Sequence, residues 1–236
     1  NVSLLLTANE LYQQGIEAAQ TTSVRVTSFN RVNEQRELDI PLQQEHRLDN
    51  LCSIIYTSGT TGFPKGVQHT YGNHWWSAIS SMLNLGLDRN DKWLATLPLF
   101  HIGGLSILMK SLIYGMPIYL LKKFDDNIVH DGIMNKQVSI VSVVSVTLER
   151  LLKKLDNGRY PASFRCMLLG GGPASKSLLE KAKAHQIPVF QTYGMTETSS
   201  QIVTLSPSDA LQKLGSAGKP LFPAQLKIIK NEEPSP

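Results

Sequence analysis

A regular succession of short apolar runs and helix-like stretches between Leu51 and Gln191, joined by brief connections, limits what this chain can fold into. Trp93–Thr96, Ile118–Leu121, Val138–Val144, Cys166–Leu169 and Pro188–Gln191 have strand length and are largely apolar, with no regular polar alternation. Such strands are covered on both faces, which is the condition of a parallel sheet wrapped by helices. The intervening stretches Asn73–Leu83, Gly104–Tyr114, Asn127–Asn135, Thr147–Leu155 and Ser175–His185 read as helices, and Asn157-Gly158 marks the end of one of them. The fold class is therefore α/β, a largely parallel sheet with flanking helices.

The flanks read differently. Residues 1–50 are expected to form a loop-rich lead-in with a short helix running towards Gln20, opened by a capping box at Thr7-Ala8-Asn9-Glu10. Residues 51–214 form the expected α/β nucleotide- and acyl-binding core, and 215–236 the start of a truncated β-subdomain. In that last segment Leu226–Lys230 reads as a strand without a returning partner, so the expectation is an exposed edge, self-association or pairing with a chain carrying missing parts.

Composition excludes several classes. The net charge of +4 is spread in pairs such as Lys122-Lys123 and Lys153-Lys154, and aromatics make up 7%, so no basic stripe with stacking residues suggests nucleic acid. Cys52 and Cys166 each sit in an apolar run and read as buried free thiols. The apolar stretch Ile102–Leu121 is broken by Lys110, Gly115 and Pro117, so it reads as helix, turn and strand, not a membrane span. The expectation is a soluble, cytoplasmic protein.

The most specific chemistry lies in Tyr56–Gly66, placed directly after the apolar run Leu51–Tyr56. Gly59, Gly62 and Gly66 let the backbone curl so that N–H groups converge, Thr57, Ser58, Thr60 and Thr61 add hydroxyl donors, and Lys65 adds a positive charge. Together they make a phosphate cradle. A Walker A loop is excluded because Pro64 precedes Lys65 and Gly66 follows it. A nucleophile elbow is excluded because Ser58 lacks the flanking glycines. Further on, Leu97–Gly104 contains His101, a triple glycine Gly170-Gly171-Gly172 follows a strand, and Gln191–Thr198 carries a tyrosine and an acid in a turn. Three glycines allow close backbone approach to a flat ligand. The dinucleotide fingerprint fails because Ser175 stands where its third glycine would be.

The Tyr56–Gly66 loop resembles the signature loop of the acyl-adenylate-forming superfamily, and Leu97–Gly104, Leu169–Pro173 and Gln191–Thr198 resemble its later motifs in the same order. The resemblance implies that Thr57, Ser58, Gly59, Thr60, Thr61, Gly62 and Lys65 hold ATP phosphates, while Gly170, Gly171 and Gly172 line the adenine and acyl pocket. It further implies that Gln191, Thr192, Tyr193, Gly194 and Met195 bound the nucleotide, with Tyr193 on adenine. Thr196 would bond the α-phosphate, Glu197 would bind Mg²⁺ and His101 would border the carboxylate pocket, so Lys65, His101, Thr196 and Glu197 are the catalytic candidates. Gly72–Ala78, Asn84–Leu87 and Met195–Gln201 resemble o-succinylbenzoate–CoA ligases of menaquinone synthesis.

The implied activity joins a small carboxylic acid to coenzyme A at the expense of ATP, through an acyl-adenylate. Another aryl- or fatty-acyl-CoA synthetase and a non-catalytic nucleotide-binding relative are the alternatives. The resemblance also places a ribose-binding aspartate and a small lid domain downstream of Pro236, so the chain is expected to be a central piece that does not turn over alone. Structurally, Tyr56–Gly66 is expected to bridge a buried parallel strand and a helix. The segments around Ser58, Gly171 and Thr196 are expected to meet in one cleft at the carboxyl ends of the strands, with His101 at its border.

Overall fold

A computed structural model describes residues 2–34, 41, 43–58, 62–230 and 233–235. The chain divides into two units, Asn1–Glu45 and His46–Pro236.

The first unit holds β1 (Leu4–Thr7), α1 (Tyr12–Ala19), β2 (Arg25–Ser28) and α2 (Phe29–Asn33). β1 and β2 pair in parallel from Leu4↔Arg25 to Thr7↔Ser28, and α1 supplies the crossover that a parallel pair needs. Gly15 is the one buried residue of α1, and a Cβ there would lie 2.8 Å from Thr7 Cγ2, so the helix approaches the strand at its glycine. Where the weak patterning suggests loop, residues 2–34 thus contain a paired sheet. Four-residue strands with half-exposed side chains leave too little periodicity to register. Thr7 is not a helix cap either: it ends β1, and its hydroxyl donates to the Thr27 carbonyl at 3.2 Å.

The second unit opens with β3 (Leu51–Thr57), β4 (Lys65–Thr70) and α3 (Tyr71–Leu85). It continues through β5 (Trp93–Ala95), α4 (Ile102–Tyr114), β6 (Ile118–Leu120), α5 (Asp126–Asn135), β7 (Ile140–Val143) and α6 (Ser145–Leu155). Then come β8 (Cys166–Leu169), α7 (Lys176–Ala184), β9 (Val189–Met195), a 3₁₀ turn at Thr196–Thr198 and β10 (Ser200–Leu205). Short strands β11 (Lys219–Pro220), β12 (Ile228–Lys230) and β13 (Glu233–Ser235) follow.

The main sheet runs β11-β10-β9-β8-β7-β5-β6. β6, β5, β7, β8 and β9 are mutually parallel, and β10 and β11 extend the sheet antiparallel. Alternate side chains of each strand serve opposite faces. Leu94, Val141, Met167, Leu169 and Val189 join α5, α6 and α7 in one core, where Val129, Leu148, Leu151 and Leu179 are buried. Trp93, Ala95, Ile140, Cys166 and Leu168 form the other core with Leu85 of α3 and Ile107 of α4. Each such fully buried aliphatic side chain contributes about 1.5–3 kcal/mol. The helix that follows β5 packs on one face and the helix that follows β7 on the other. Their loops therefore diverge between neighbouring strands, opening a crevice at the carboxyl edge.

Two expectations are corrected. β3 does not belong to the parallel sheet; it pairs antiparallel with β4, from Leu51↔Thr70 to Thr57↔Lys65, so the Tyr56–Gly66 segment joins two strands and not a strand and a helix. An apolar run reports burial and not the pairing partner, and in β3 only Ile55 is buried. Likewise β12 has a partner: Ile228–Lys230 pairs antiparallel with Glu233–Ser235, so it is not an unpaired edge.

A buried ion pair ties the unit together. The Asp91 carboxylate, 1% exposed, receives Arg165 Nε at 2.7 Å and Nη2 at 2.5 Å, together with the Ser139 hydroxyl and the Asp88 N–H, each at 2.8 Å. Arg165 also donates to the carbonyls of Leu85 and Gly86, so one guanidinium clamps the end of α3 and the approaches to β5, β7 and β8. Burial alone would raise the Asp91 carboxyl; Arg165 and the two other donors more than offset this and hold it below the ordinary range. Asp91→Ala should cost about 3–5 kcal/mol in urea unfolding at pH 7, because it strands a partly buried guanidinium. A carboxyl with a depressed folded pKa stabilises above its unfolded value near about 4 and loses that contribution as the pH falls through the folded value. The stability gap between wild type and Asp91→Ala should therefore narrow as the pH is lowered from about 4.

Candidate active site

At the carboxyl edge of β5, β7, β8 and β9 lies a cavity of about 210 Å³. Its apolar wall comes from Leu97, Ile102, Val143, Val144, Leu168 and Met195. Backbone from Gly103, Gly170, Gly171 and Gly194 also lines it, together with Thr192, Ser200 and Gln201. Its polar lining includes Ser106 and Lys110 of α4 and Ser142 of β7, all three buried. The Ser106 and Ser200 hydroxyls lie 3.2 Å apart, and Trp93 Nε1 donates to Ser142 Oγ at 3.0 Å. Lys110 is 2% exposed, and burial lowers its ammonium to about 8, with Cys166 acting weakly the other way.

The glycines have specific reasons. Gly171 sits at φ +81, a conformation L side chains rarely adopt, and turns the chain away from β8. A Cβ on Gly194 would collide with the Ser200 carbonyl, so β9 and β10 can approach this closely only at glycine. Between them the Thr196–Thr198 turn reverses the chain through Ser199 at φ 53 and Ser200 at φ 90. Left-handed serines at a turn are held by their surroundings, and several bonds do so here. The Met195 N–H donates to Thr198 Oγ1 at 2.9 Å, and Ser77 Oγ of α3 donates to the Ser199 carbonyl at 2.6 Å. Ser81 Oγ donates to the buried Gln201 side chain at 3.1 Å.

The β3–β4 hairpin reaches the same turn through His69, which lies on β4 and is 1% exposed. His69 Nε2 bonds the Thr196 carbonyl at 2.6 Å, across 127 residues of sequence. The bond requires the Nε2–H form, since a carbonyl only accepts. Behind it, His74 Nε2 meets Ser53 Oγ at 2.9 Å, and burial lowers the His74 imidazole, with His69 adding to the effect.

The residues singled out from sequence divide as follows. Gly170, Gly171, Thr192, Gly194 and Met195 line the cavity. Gln191 lies in β9 opposite Leu205, Tyr193 is 49% exposed beside the cavity wall, and Gly172 is exposed beyond it. His101 is exposed and caps α4 through its carbonyl, which accepts from Gly104 and Leu105; its neighbours Ile102 and Gly103 line the cavity, and His101 itself does not. Glu197 is exposed on an adjoining hollow with Gly72, Asn73, Ser77 and Thr198. Thr57 and Lys65 pair across the hairpin, and Ser58, Gly62 and Lys65 are exposed. Gly59, Thr60 and Thr61 lie outside the described residues. The Gly171 and Thr196 segments therefore meet, and the Ser58 hairpin reaches them through His69 without lining the cavity.

Among the described residues no cluster of three or more His, Cys, Asp or Glu is gathered for a metal. The single exposed carboxylate of Glu197 is nonetheless a hard oxygen donor of the kind that suits Mg²⁺, an ion that takes one or two carboxylates and completes its shell with water and phosphate oxygens. The motifs did not flag Ser106, Lys110, Ser142 or Ser200. Lys110 carried a readable signal, a lone charge within an otherwise apolar helix.

A family model described as AMP-binding enzyme matches residues 2–236. The 2-succinylbenzoate–CoA ligase of Oceanobacillus iheyensis is 59% identical over 241 residues, covering 96% of this chain and 50% of that protein. The ligase of the same name from Geobacillus kaustophilus is 56% identical over 211 residues, 89% of this chain and 43% of that one. Among solved structures, o-succinylbenzoate coenzyme A synthetase from Bacillus subtilis, in complex with ATP and magnesium ion, aligns with a TM-score of 0.92 and 45% identity, covering 99% of this chain and 48% of that chain. The chain spans about half the length of the curated relatives it matches.

Gly194→Ala should force β9 and β10 apart, at a cost of about 1–3 kcal/mol in chemical unfolding. His69→Ala should raise amide hydrogen exchange at Thr196–Ser199 while leaving exchange in β8 unchanged, because it removes the tie to the turn and not the sheet.

Proposed function

We propose, since the chain belongs to the AMP-binding enzyme family, that the full-length protein is a cytoplasmic ATP-dependent acid–coenzyme A ligase that acts on o-succinylbenzoate in menaquinone biosynthesis. The observation that carries this reading is the cavity at the sheet's carboxyl edge, where residues from the second, third and fourth sequence motifs line one space. The names of the relatives at 55–59% identity support the choice of acid.

The reaction has two displacements. A carboxylate oxygen of the acid attacks the α-phosphorus of ATP and pyrophosphate leaves. The thiolate of coenzyme A then attacks the acyl carbon and AMP leaves. In this reading Thr57, Ser58, Gly62 and Lys65, with Gly59, Thr60 and Thr61, hold the phosphates from the hairpin. Gly170, Gly171 and Gly172 allow the flat base to approach, and Tyr193 stacks on it from β9. Gln191, Thr192, Gly194 and Met195 shape the wall between base and acyl group. Thr196 donates to the α-phosphate, and its carbonyl is fixed by His69 at 2.6 Å, so the turn that carries the donor is set in advance. His101, at the start of α4, stands next to the lining residues Ile102 and Gly103, so its part in this reading is to flank the space for the reacting carboxylate without lining it. Glu197 would hold Mg²⁺, which would supply neutralisation of charge on the departing pyrophosphate. Donors fixed in this way are worth about 2.7–4 kcal/mol each at the transition state, and alignment of two anionic reactants supplies more.

In the full-length protein, pyrophosphate release should require ATP, Mg²⁺ and acid together, and within a panel of aryl and fatty acids o-succinylbenzoate should give the highest kcat/KM. A panel in which a long-chain fatty acid wins would replace the substrate assignment. Glu197→Gln should slow adenylation by roughly 100-fold and leave thiol transfer from preformed acyl-adenylate close to wild type, because the phosphates it acts on have left by then. Equal losses in both half-reactions, followed in single-turnover experiments, would assign Glu197 a structural role.

A further inference from the structure

We infer that His69 is a positioning residue for the adenylating step: it couples the β3–β4 hairpin to the Thr196–Thr198 turn, so that the two sides of the nucleotide site are set as one piece. This deepens the ligase reading of the same site and rests on it.

The hairpin has little else to fix it against the turn. Among the described residues β3 and β4 pair only with each other, apart from the seven-stranded sheet whose β9 and β10 the turn joins. A two-stranded hairpin is marginal alone and takes its placement from what it packs on. Two side-chain bonds run from this stretch of chain to the turn. His69 Nε2 donates to the Thr196 carbonyl at 2.6 Å, and Ser77 Oγ donates to the Ser199 carbonyl at 2.6 Å. Ser77 lies on α3, which follows β4 directly through the Thr70–Asn73 capping box. The turn is therefore held on both sides of Glu197-Thr198. The Thr196 carbonyl and the Glu197 N–H belong to one planar trans peptide and point opposite ways. Fixing that carbonyl on His69 fixes the peptide between the proposed α-phosphate donor and the proposed Mg²⁺ ligand.

His69 is itself held. Its cross-strand partner is Ser53, whose hydroxyl meets His74 Nε2 at 2.9 Å, and the two imidazole rings lie 5.4 Å apart. Burial keeps the His74 imidazole below its ordinary range, so at pH 7 it is neutral and sets no charge against His69. With the Nε2–H committed to Thr196, Nδ1 is the acceptor nitrogen of His69, and it is buried without a partner among the described residues. A buried acceptor left unpaired costs stability, and an apolar side chain would fill the same space without that cost. What the imidazole adds is one directed N–H, and its target is the turn.

The test follows exchange of labelled pyrophosphate into ATP, with o-succinylbenzoate, in the full-length protein and three variants. His69→Leu fills the space without a donor. His69→Gln places an amide nitrogen near the position of Nε2, and His69→Asn places one near Nδ1, short of the carbonyl. His69→Leu and His69→Asn should lower kcat by roughly 10–100-fold through misplacement of the turn. Their KM for ATP should change far less, because the groups that hold the phosphates remain. His69→Gln should recover most of the lost kcat, and the Tm of His69→Leu should equal or exceed wild type. A merely structural histidine would give losses that follow Tm, with Gln no better than Asn. That pattern, a wild-type kcat in His69→Asn, or a loss confined to KM for ATP would each overturn the inference and leave the ligase reading standing. Wild type that shows no acid-dependent exchange would remove the ligase reading, and this inference with it.

Discussion

The parallel register of β5, β7, β8 and β9 is the constraint on which the rest of the second unit depends. It brings four strand ends to one edge, and because α4 and α6 pack on opposite faces the loops after β5 and β7 separate there. The space left between them is the cavity, with walls made of whatever follows each strand. That is why Leu97, Val144, Gly170 and Met195, distant in sequence, share one surface. The Asp91–Arg165 clamp acts on the opposite end of the same strands, bonding the residues that lead into β5, β7 and β8. One end of the sheet is fastened, and the other is left open for a ligand.

Local pattern made most of that sheet readable. Cys166–Leu169 is read from sequence with the same limits it has in the structure, and Trp93, Ile118 and Ile140 start strands inside or at the edge of apolar runs. Buried parallel strands are apolar on both faces, so their sequence alone reports their environment. Pairing partners are another matter. Leu51–Tyr56 is as apolar as any core strand, yet its bonds go to Lys65–Thr70. β10 begins with the polar pair Ser200-Gln201, and the burial of Gln201 depends on Ser81, more than a hundred residues earlier. No local periodicity contains that information.

The candidate site divides along the same line. Glycines announced themselves, since Gly171 and Gly194 answer to backbone demands of a positive φ and a close approach. The donors that give the cavity its chemistry did not. Ser106, Ser142 and Ser200 are unremarkable in sequence and acquire meaning only when three elements place them around Lys110. The tie between His69 and Thr196 joins the hairpin to the Thr196–Thr198 turn, a relation no motif spacing expresses. These buried polar groups stiffen the turn and specify a single arrangement, and their dependence on one another is the physical reason they escape a residue-by-residue reading.

The central proposal is that, in the full-length protein, this edge of the sheet is where an acyl-adenylate forms. Exchange of labelled pyrophosphate into ATP, catalysed by the full-length protein without coenzyme A, reports the reversal of that one step. The account predicts exchange that requires o-succinylbenzoate and falls sharply in Glu197→Gln. Exchange that proceeds without any acid, or its absence under conditions where ATP and o-succinylbenzoate both bind, would contradict it.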